Sequence, residues 1–121
     1  MKLIIAGGRD LNPSMGFITC AITMLPICKG MGSPIREVVC GGEEGVDNEG
    51  AHWASHMNVP VKYLRADWDK HGRAAGPIRN KEMAEYADVL LLIWDGVSKG
   101  SASMKREMEK LGKPVYEVVL K

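Results

Sequence analysis

Short loops rich in glycine and charge follow the apolar runs of this sequence, and they carry residue types that bind anions and hydroxyl groups. In "AGGRD", Gly7 and Gly8 permit a tight turn, and Arg9 presents a planar cation that suits a phosphate or a carboxylate. Taken alone, this pattern fits a glycine turn with a surface arginine equally well.

The loop "WDGVSKGSAS" is a stronger candidate for an anion site. Its glycines and hydroxyls lie where a helix is predicted to begin, so free backbone amides and the positive end of the helix dipole would face an anion. Ser101 is also a good N-cap residue, and capping is compatible with anion binding. The candidate ligand-binding residues of this loop are Asp95, Gly96, Ser98, Gly100 and Ser101.

The loop "CGGEEGVD" combines glycines with acidic side chains. Gly42 and Gly45 permit a close approach of a ligand to the backbone. Asp47 either accepts hydrogen bonds from ribose hydroxyls, as acidic residues do in dinucleotide-binding folds, or only caps the next helix. Glu43 and Glu44 argue that this loop faces a ribose, a base or a cationic group and not a phosphate.

The segment "AAGPIRNKEM" puts Arg79 and Asn80 in the first turn of a predicted helix. A helix N-terminus favours anions, so an arginine there is expected to face a ligand. The alternative is a solvated side chain, or an ion pair with Asp67, Asp69 or Glu82.

Two further patterns carry little weight. His52 and His56 have the i, i+4 spacing of metal ligands, but Trp53 stands where H-E-x-x-H needs glutamate, so no metal site is predicted. The G-x-S-x-G of "GVSKG" occurs in hydrolases that are much longer than this chain. Trp68 and Trp94 lie near predicted strand ends, where they could stack on a nucleobase.

The elements that must position these loops are five strands alternating with four helices. Phe17, Ala21, Leu25 and Cys28 recur at helical spacing in the first helix, whose end Pro26 disturbs. The predicted strands cover residues 2–6, 36–40, 59–66, 88–94 and 113–120, and the later helices cover 47–57, 76–87 and a segment with Met104, Met108 and Leu111 on one face.

This alternation predicts βαβ units and therefore an α/β/α sandwich around a mainly parallel sheet. A Rossmann-like strand order 3-2-1-4-5 is favoured, and 2-1-3-4-5 is the other common order. In the favoured order the first and fourth strands are neighbours whose chains leave in opposite directions. Ligands of such sheets bind at that switch point, so the charged loops are expected to share one crevice.

Length, composition and charge limit the classes of function that fit this protein. A chain of 121 residues fits one domain over 1–121, with ordinary hydrophobic (45%) and charged (26%) fractions. A net charge of +1 argues against duplex DNA as a partner but leaves single-stranded nucleic acid open. Three scattered cysteines predict neither disulfides nor a zinc site, which indicates a reducing, cytoplasmic setting. No apolar run suits a signal peptide or a membrane span.

Four motifs together resemble a known group: "IIAGGRD", "CGGEEGVDNEGAHWA", "RADWDKHGRAAGPIRNKEM" and "WDGVSKGS". In this order they are similar to the pattern of the YspA-like proteins, relatives of YpsA in the SLOG superfamily, from residue 3 to about 115. That superfamily includes the core of the DNA-processing protein DprA, the LOG-type phosphoribohydrolases and nucleotide-sensing domains. The resemblance implies a Rossmann-like fold and a nucleotide-type ligand over Arg9, Asp47, Arg79, Asn80 and the 96–101 loop.

The chain departs from that pattern at two places. Glu43 and Glu44 replace the usual Ala and Arg, which changes the charge beside the ligand. In the fourth motif, Ser101 and Met104 replace the Thr and the Glu of the phosphoribohydrolases, and Glu107 lies one turn further on. The carboxylate that would assist glycosidic cleavage is therefore missing at its usual position.

The sequence thus predicts a sensor or processing protein that binds a nucleotide or nucleotide-derived ligand, with no other cofactor expected. The first alternative is a nucleotide N-glycosidase or phosphoribohydrolase, in which Asp47, Glu43 or Glu44 would supply the carboxylate. The second is a single-stranded nucleic-acid binder of DprA type. A homodimer is also expected, through the methionine-rich face of the last helix, because methionines suit adaptable interfaces.

Overall fold

The computed structural model describes residues 1–25 and 35–120, and Pro26 and Cys28 lie outside the described residues. Strands and helices alternate along the described residues, except after the third strand, where two helices follow each other. The strands are β1 (Lys2–Gly7), β2 (Glu37–Cys40), β3 (Val61–Tyr63), β4 (Val89–Trp94) and β5 (Val115–Val119), and the helices are α1 (Met15–Thr23), α2 (Val46–His56), α3 (Trp68–His71), α4 (Ala75–Tyr86) and α5 (Lys99–Lys110).

The five strands form one parallel sheet in the order β3-β2-β1-β4-β5, so the predicted Rossmann-like fold and strand order are confirmed. Ile4 pairs with Val39 of β2 on one side and with Leu90 of β4 on the other. All six residues of β4 are buried, because helices cover both faces of the sheet there. None of the helices in the described part of the chain is long and apolar enough to cross a membrane.

Alternate residues of the central strands supply two separate cores. Leu3 and Ile5 of β1 face α1 and α2, whereas Ile4 faces α4 and α5. Each fully buried aliphatic side chain contributes about 1.5–3 kcal/mol of transfer free energy, so these layers hold the sheet edge rigid beneath the loops. The second core also contains Met83, Ala84, Leu90, Leu92, Met104 and Met108.

Met104 and Met108 are 2% and 0% exposed, because α5 packs this face on the sheet. They are therefore core residues of the monomer, and the proposal that they form a dimer interface was wrong. The expected dimer is no longer supported by a methionine-rich interface, and it stays a prediction.

β3 and the segment that follows it differ most from what the sequence predicts. β3 is confined to Val61–Tyr63, not 59–66, because it pairs only with β2 and that partner ends at Cys40. The predicted polar loop contains the additional short helix α3, which Asp67 caps by accepting a hydrogen bond from the Lys70 amide at 3.1 Å. A 3-10 turn then joins α3 to α4.

Candidate functional site

A cavity of about 340 Å³ opens above the carboxyl ends of β1 and β4, the point at which the chain leaves the sheet in opposite directions. The loops after β1, β2 and β4, the second and third turns of α4 and the beginning of α5 surround it. Ten of the predicted ligand-binding residues line this cavity: Gly7, Gly8, Arg9, Asp47, Arg79, Asn80, Asp95, Ser98, Gly100 and Ser101.

Arg79 is the buried cation of the cavity. Its Nη1 donates to the Gly41 carbonyl at 2.7 Å and its Nε donates to Asn80 Oδ1 at 3.0 Å. The remaining nitrogen, Nη2, lies 3.7 Å from Glu43 Oε1. Arg79 is in the second turn of α4, not the first, and its ion-pair partner is Glu43 rather than Asp67, Asp69 or Glu82.

Asn80 continues the same network towards the fourth loop. Its Nδ2 lies 3.3 Å from the Gly100 carbonyl and 3.3 Å from Ser103 Oγ, so it joins α4 to the start of α5. A chain of hydrogen bonds therefore runs from Gly41 through Arg79 and Asn80 to Gly100, and it holds the loops after β2 and β4 at a set separation.

Asp47 is a buried carboxyl group at the cavity wall. It is the second residue of α2, whose N-cap is Gly45, so the expectation that Asp47 caps this helix was wrong. Its side chain accepts a hydrogen bond from the Glu43 amide at 3.4 Å. Burial raises the pKa of Asp47 to about 6, although Arg79 and backbone amides act in the opposite direction. This carboxyl can exchange a proton near neutral pH.

Gly41 and Gly45 leave room for neighbouring groups of the cavity wall to pack closely against the backbone. A Cβ on Gly41 would lie 2.6 Å from Arg79 Nη1 and 2.8 Å from Asp47 Oδ2, so only glycine leaves room for both groups. Gly45 has φ +75°, and a Cβ there would lie 2.5 Å from the Arg9 carbonyl oxygen. The loops after β1 and β2 are thus in backbone contact, which the hydrogen bond from Val46 N to Gly8 O completes.

The loop after β4 presents free amides. Asp95 Oδ1 accepts hydrogen bonds from the Val97 and Ser98 amides, each at 2.9 Å, and these bonds lower the pKa of Asp95. The N-cap residue of α5 is Ser98, not Ser101, which lies buried inside the helix. The first amide bonded to the N-cap carbonyl is that of Ala102, so the amides of residues 99–101 have no partner within the helix.

Four predicted residues do not line the cavity. Glu44 and Gly42 are exposed to solvent beside it. Gly45 is buried and supports the adjoining loop, and Gly96 is an exposed residue at φ +87° that shapes the turn. The roles predicted for these four residues, including the catalytic role considered for Glu44, stay predictions.

The cavity also contains residues that the sequence analysis did not select: Ala6, Asp10, Leu11, Met83 and Met104. Asp10 was inside a quoted loop but had no assigned role. Met83 lies one helical turn after Arg79, so helical spacing alone would have brought it to the same face. These methionines make the cavity floor apolar.

The side chains with other expected roles lie elsewhere. Trp53 and Trp94 are buried and donate to Thr19 and Glu117, each at 3.0 Å, and Trp68 is half exposed without lining the cavity. His52 and His56 are exposed on α2. Among the described residues, no cluster of three or more acidic, His or Cys side chains could hold a metal ion.

No family model and no solved structure matches the chain. The gene 61 protein of Mycobacterium phage D29 is 43% identical to it over 84 residues, which are 64% of this chain and 67% of the phage protein. This chain belongs to the gene 61 protein family. That name states no ligand and no reaction.

Proposed function

We propose that this protein binds a nucleotide or nucleotide-derived ligand at the carboxyl edge of its sheet, as a sensor or processing protein. The observation that carries the proposal is the cavity at the switch point, which combines two arginines, free helix amides and hydroxyl groups. Its volume of about 340 Å³ is at the small end of the range for ligand pockets, which favours a mononucleotide. The motif resemblance to the SLOG superfamily supports the same ligand class.

Each wall of the cavity suits one part of such a ligand. The phosphate suits the free amides of residues 99–101 together with the guanidinium groups of Arg9 and Arg79, which line the same cavity. Asp47, on the opposite wall, suits the ribose hydroxyls, which donate well to a buried carboxylate. The apolar floor at Met83 and Met104 suits the face of a base.

Asp47 also favours a second candidate function, cleavage of an N-glycosidic or phosphoribosyl bond. Such a reaction passes through an oxocarbenium-like transition state, which a carboxylate beside the ribose stabilises. Asp47 is the most buried carboxyl of the cavity and has its pKa raised to about 6, so it could also transfer a proton at neutral pH.

A thermal-shift panel with AMP, ADP-ribose, NAD and cyclic nucleotides, followed by mass spectrometry of each well, tests both candidates. A bound ligand at a hundredfold excess over Kd stabilises the fold by about 2.7 kcal/mol. A shift with the ligand intact supports binding. Release of a free base or a ribose phosphate supports the enzyme. No shift and no product across the panel would overturn the nucleotide proposal.

A further inference from the structure

Glu43 lies between the two arginines of the cavity. One carboxylate oxygen is 3.3 Å from Arg9 Nη2, and the other is 3.7 Å from Arg79 Nη2. The Glu43 side chain is 24% exposed, so most of it is shielded from water, while Arg9 is 64% exposed and Arg79 only 10%. A protein carboxylate thus occupies the position at which an anionic ligand would meet both cations.

The other two nitrogens of Arg79 already donate hydrogen bonds within the protein. Nη1 and Nε bond Gly41 and Asn80, so Nη2 is the nitrogen left for a group in the cavity, and Glu43 lies against it. Because an arginine–carboxylate contact has the same donor geometry as an arginine–phosphate contact, the two anions compete for one place.

The charges around the cavity strengthen this competition. The cavity is lined by two arginines and by four carboxyl groups, those of Asp10, Glu43, Asp47 and Asp95. Arg9 and Arg79 are therefore neutralised before any ligand arrives, and a phosphate that entered beside them would meet an excess of negative charge.

We propose that Glu43 is a resident anion that a ligand phosphate must displace from Arg9 and Arg79, and that it determines which ligand charge the site accepts. This inference rests on the proposed function, since it concerns the anionic part of the same ligand. Ligands that place a neutral sugar or base at the arginine pair leave Glu43 where it is. Ligands that place a phosphate there have to break both of its ion pairs, which weakens their binding.

The test compares Glu43→Gln with Glu44→Gln in the full chain. Both variants remove one negative charge from adjacent residues, but Glu44 is exposed outside the cavity. Calorimetric titrations use inorganic phosphate, AMP and uncharged adenosine. We expect Glu43→Gln to bind phosphate and AMP at least about tenfold more tightly than the wild type, with Glu44→Gln changed less than about twofold and adenosine binding unaffected.

Phosphate binding no tighter in Glu43→Gln than in Glu44→Gln would overturn the inference, including the case in which neither variant binds phosphate. Tighter phosphate binding in Glu43→Gln without any binding of AMP or adenosine would support the role of Glu43 and contradict the nucleotide proposal. AMP binding that is equal in the wild type and both variants would support the nucleotide proposal and contradict the role of Glu43. Glu43→Ala, which removes the whole carboxylate, is expected to behave as Glu43→Gln does.

Discussion

At the scale of one residue, the burial of the Asp47 carboxyl group costs free energy, and this cost indicates a functional role. A carboxylate buried beside the sheet loses most of its hydration, and the nearby Arg79 offsets only part of that loss, so the pKa of Asp47 rises to about 6. A structural role alone would be filled at lower cost by an uncharged side chain. A buried, perturbed acid in a cleft is instead typical of a group that meets a ligand.

The pH dependence of stability follows from this pKa. The folded-state pKa is raised above its unfolded value of 3.8, so the folded state holds the proton more tightly, and the free energy of unfolding falls as the pH rises from about 4 to about 6. The fall attributable to Asp47 is about 3 kcal/mol in all, of which about 2 kcal/mol lies between about pH 4.5 and about pH 7.5. Urea denaturation of the wild type and Asp47→Asn at about pH 4.5 and about pH 7.5 measures it. We expect the wild type to lose stability relative to the variant at the higher pH; parallel curves would contradict this.

A second prediction at the scale of one residue concerns Arg79. Lysine keeps the charge but cannot reach the Gly41 carbonyl, Asn80 Oδ1 and Glu43 together, so Arg79→Lys should cost about 1–3 kcal/mol of stability. It should also abolish the thermal shift given by any nucleotide that the panel identifies. Arg36→Lys is the matched control, because Arg36 is exposed just before β2, at the opposite edge of the sheet. Equal losses in the two variants would rule out a special role for Arg79.

At the scale of elements, backbone contact between the loops after β1 and β2 builds one wall of the cavity. Gly45 has φ +75° and lies against the Gly8 and Arg9 carbonyls, whereas Gly112 has φ +68° with open space around it. Gly112→Ala should therefore cost only the backbone strain, about 1 kcal/mol. Gly45→Ala adds the overlap, for a total of about 2–4 kcal/mol. Thermal denaturation of both variants measures the difference, and similar losses would mean that the two loops separate easily.

The sequence predicted the order of these elements well, since glycine-bounded apolar runs such as the one in β4 have few alternatives in an alternating α/β chain. It did not predict α3, because four residues are too few to show helical periodicity. It also misassigned the caps of α2 and α5, for which Asp47 and Ser101 were as suitable in type as the residues actually found there. The Glu43 ion pairs depend on side-chain placement across three loops, which no local pattern specifies.

At the scale of the whole molecule, the balance of charge argues against the alternative of a single-stranded nucleic-acid binder. The chain has 16 basic and 15 acidic residues, and the cavity itself has more carboxyl groups than arginines. A protein that contacts several backbone phosphates releases counterions, with a log–log salt slope of about −0.7 for each phosphate on a single strand. We expect an oligothymidylate to show no such slope, and no measurable binding in about 50 mM salt, by fluorescence anisotropy. AMP titrated in the same buffer is the positive control. Binding of the oligonucleotide that weakens steeply with salt would instead assign the arginines to a nucleic-acid backbone.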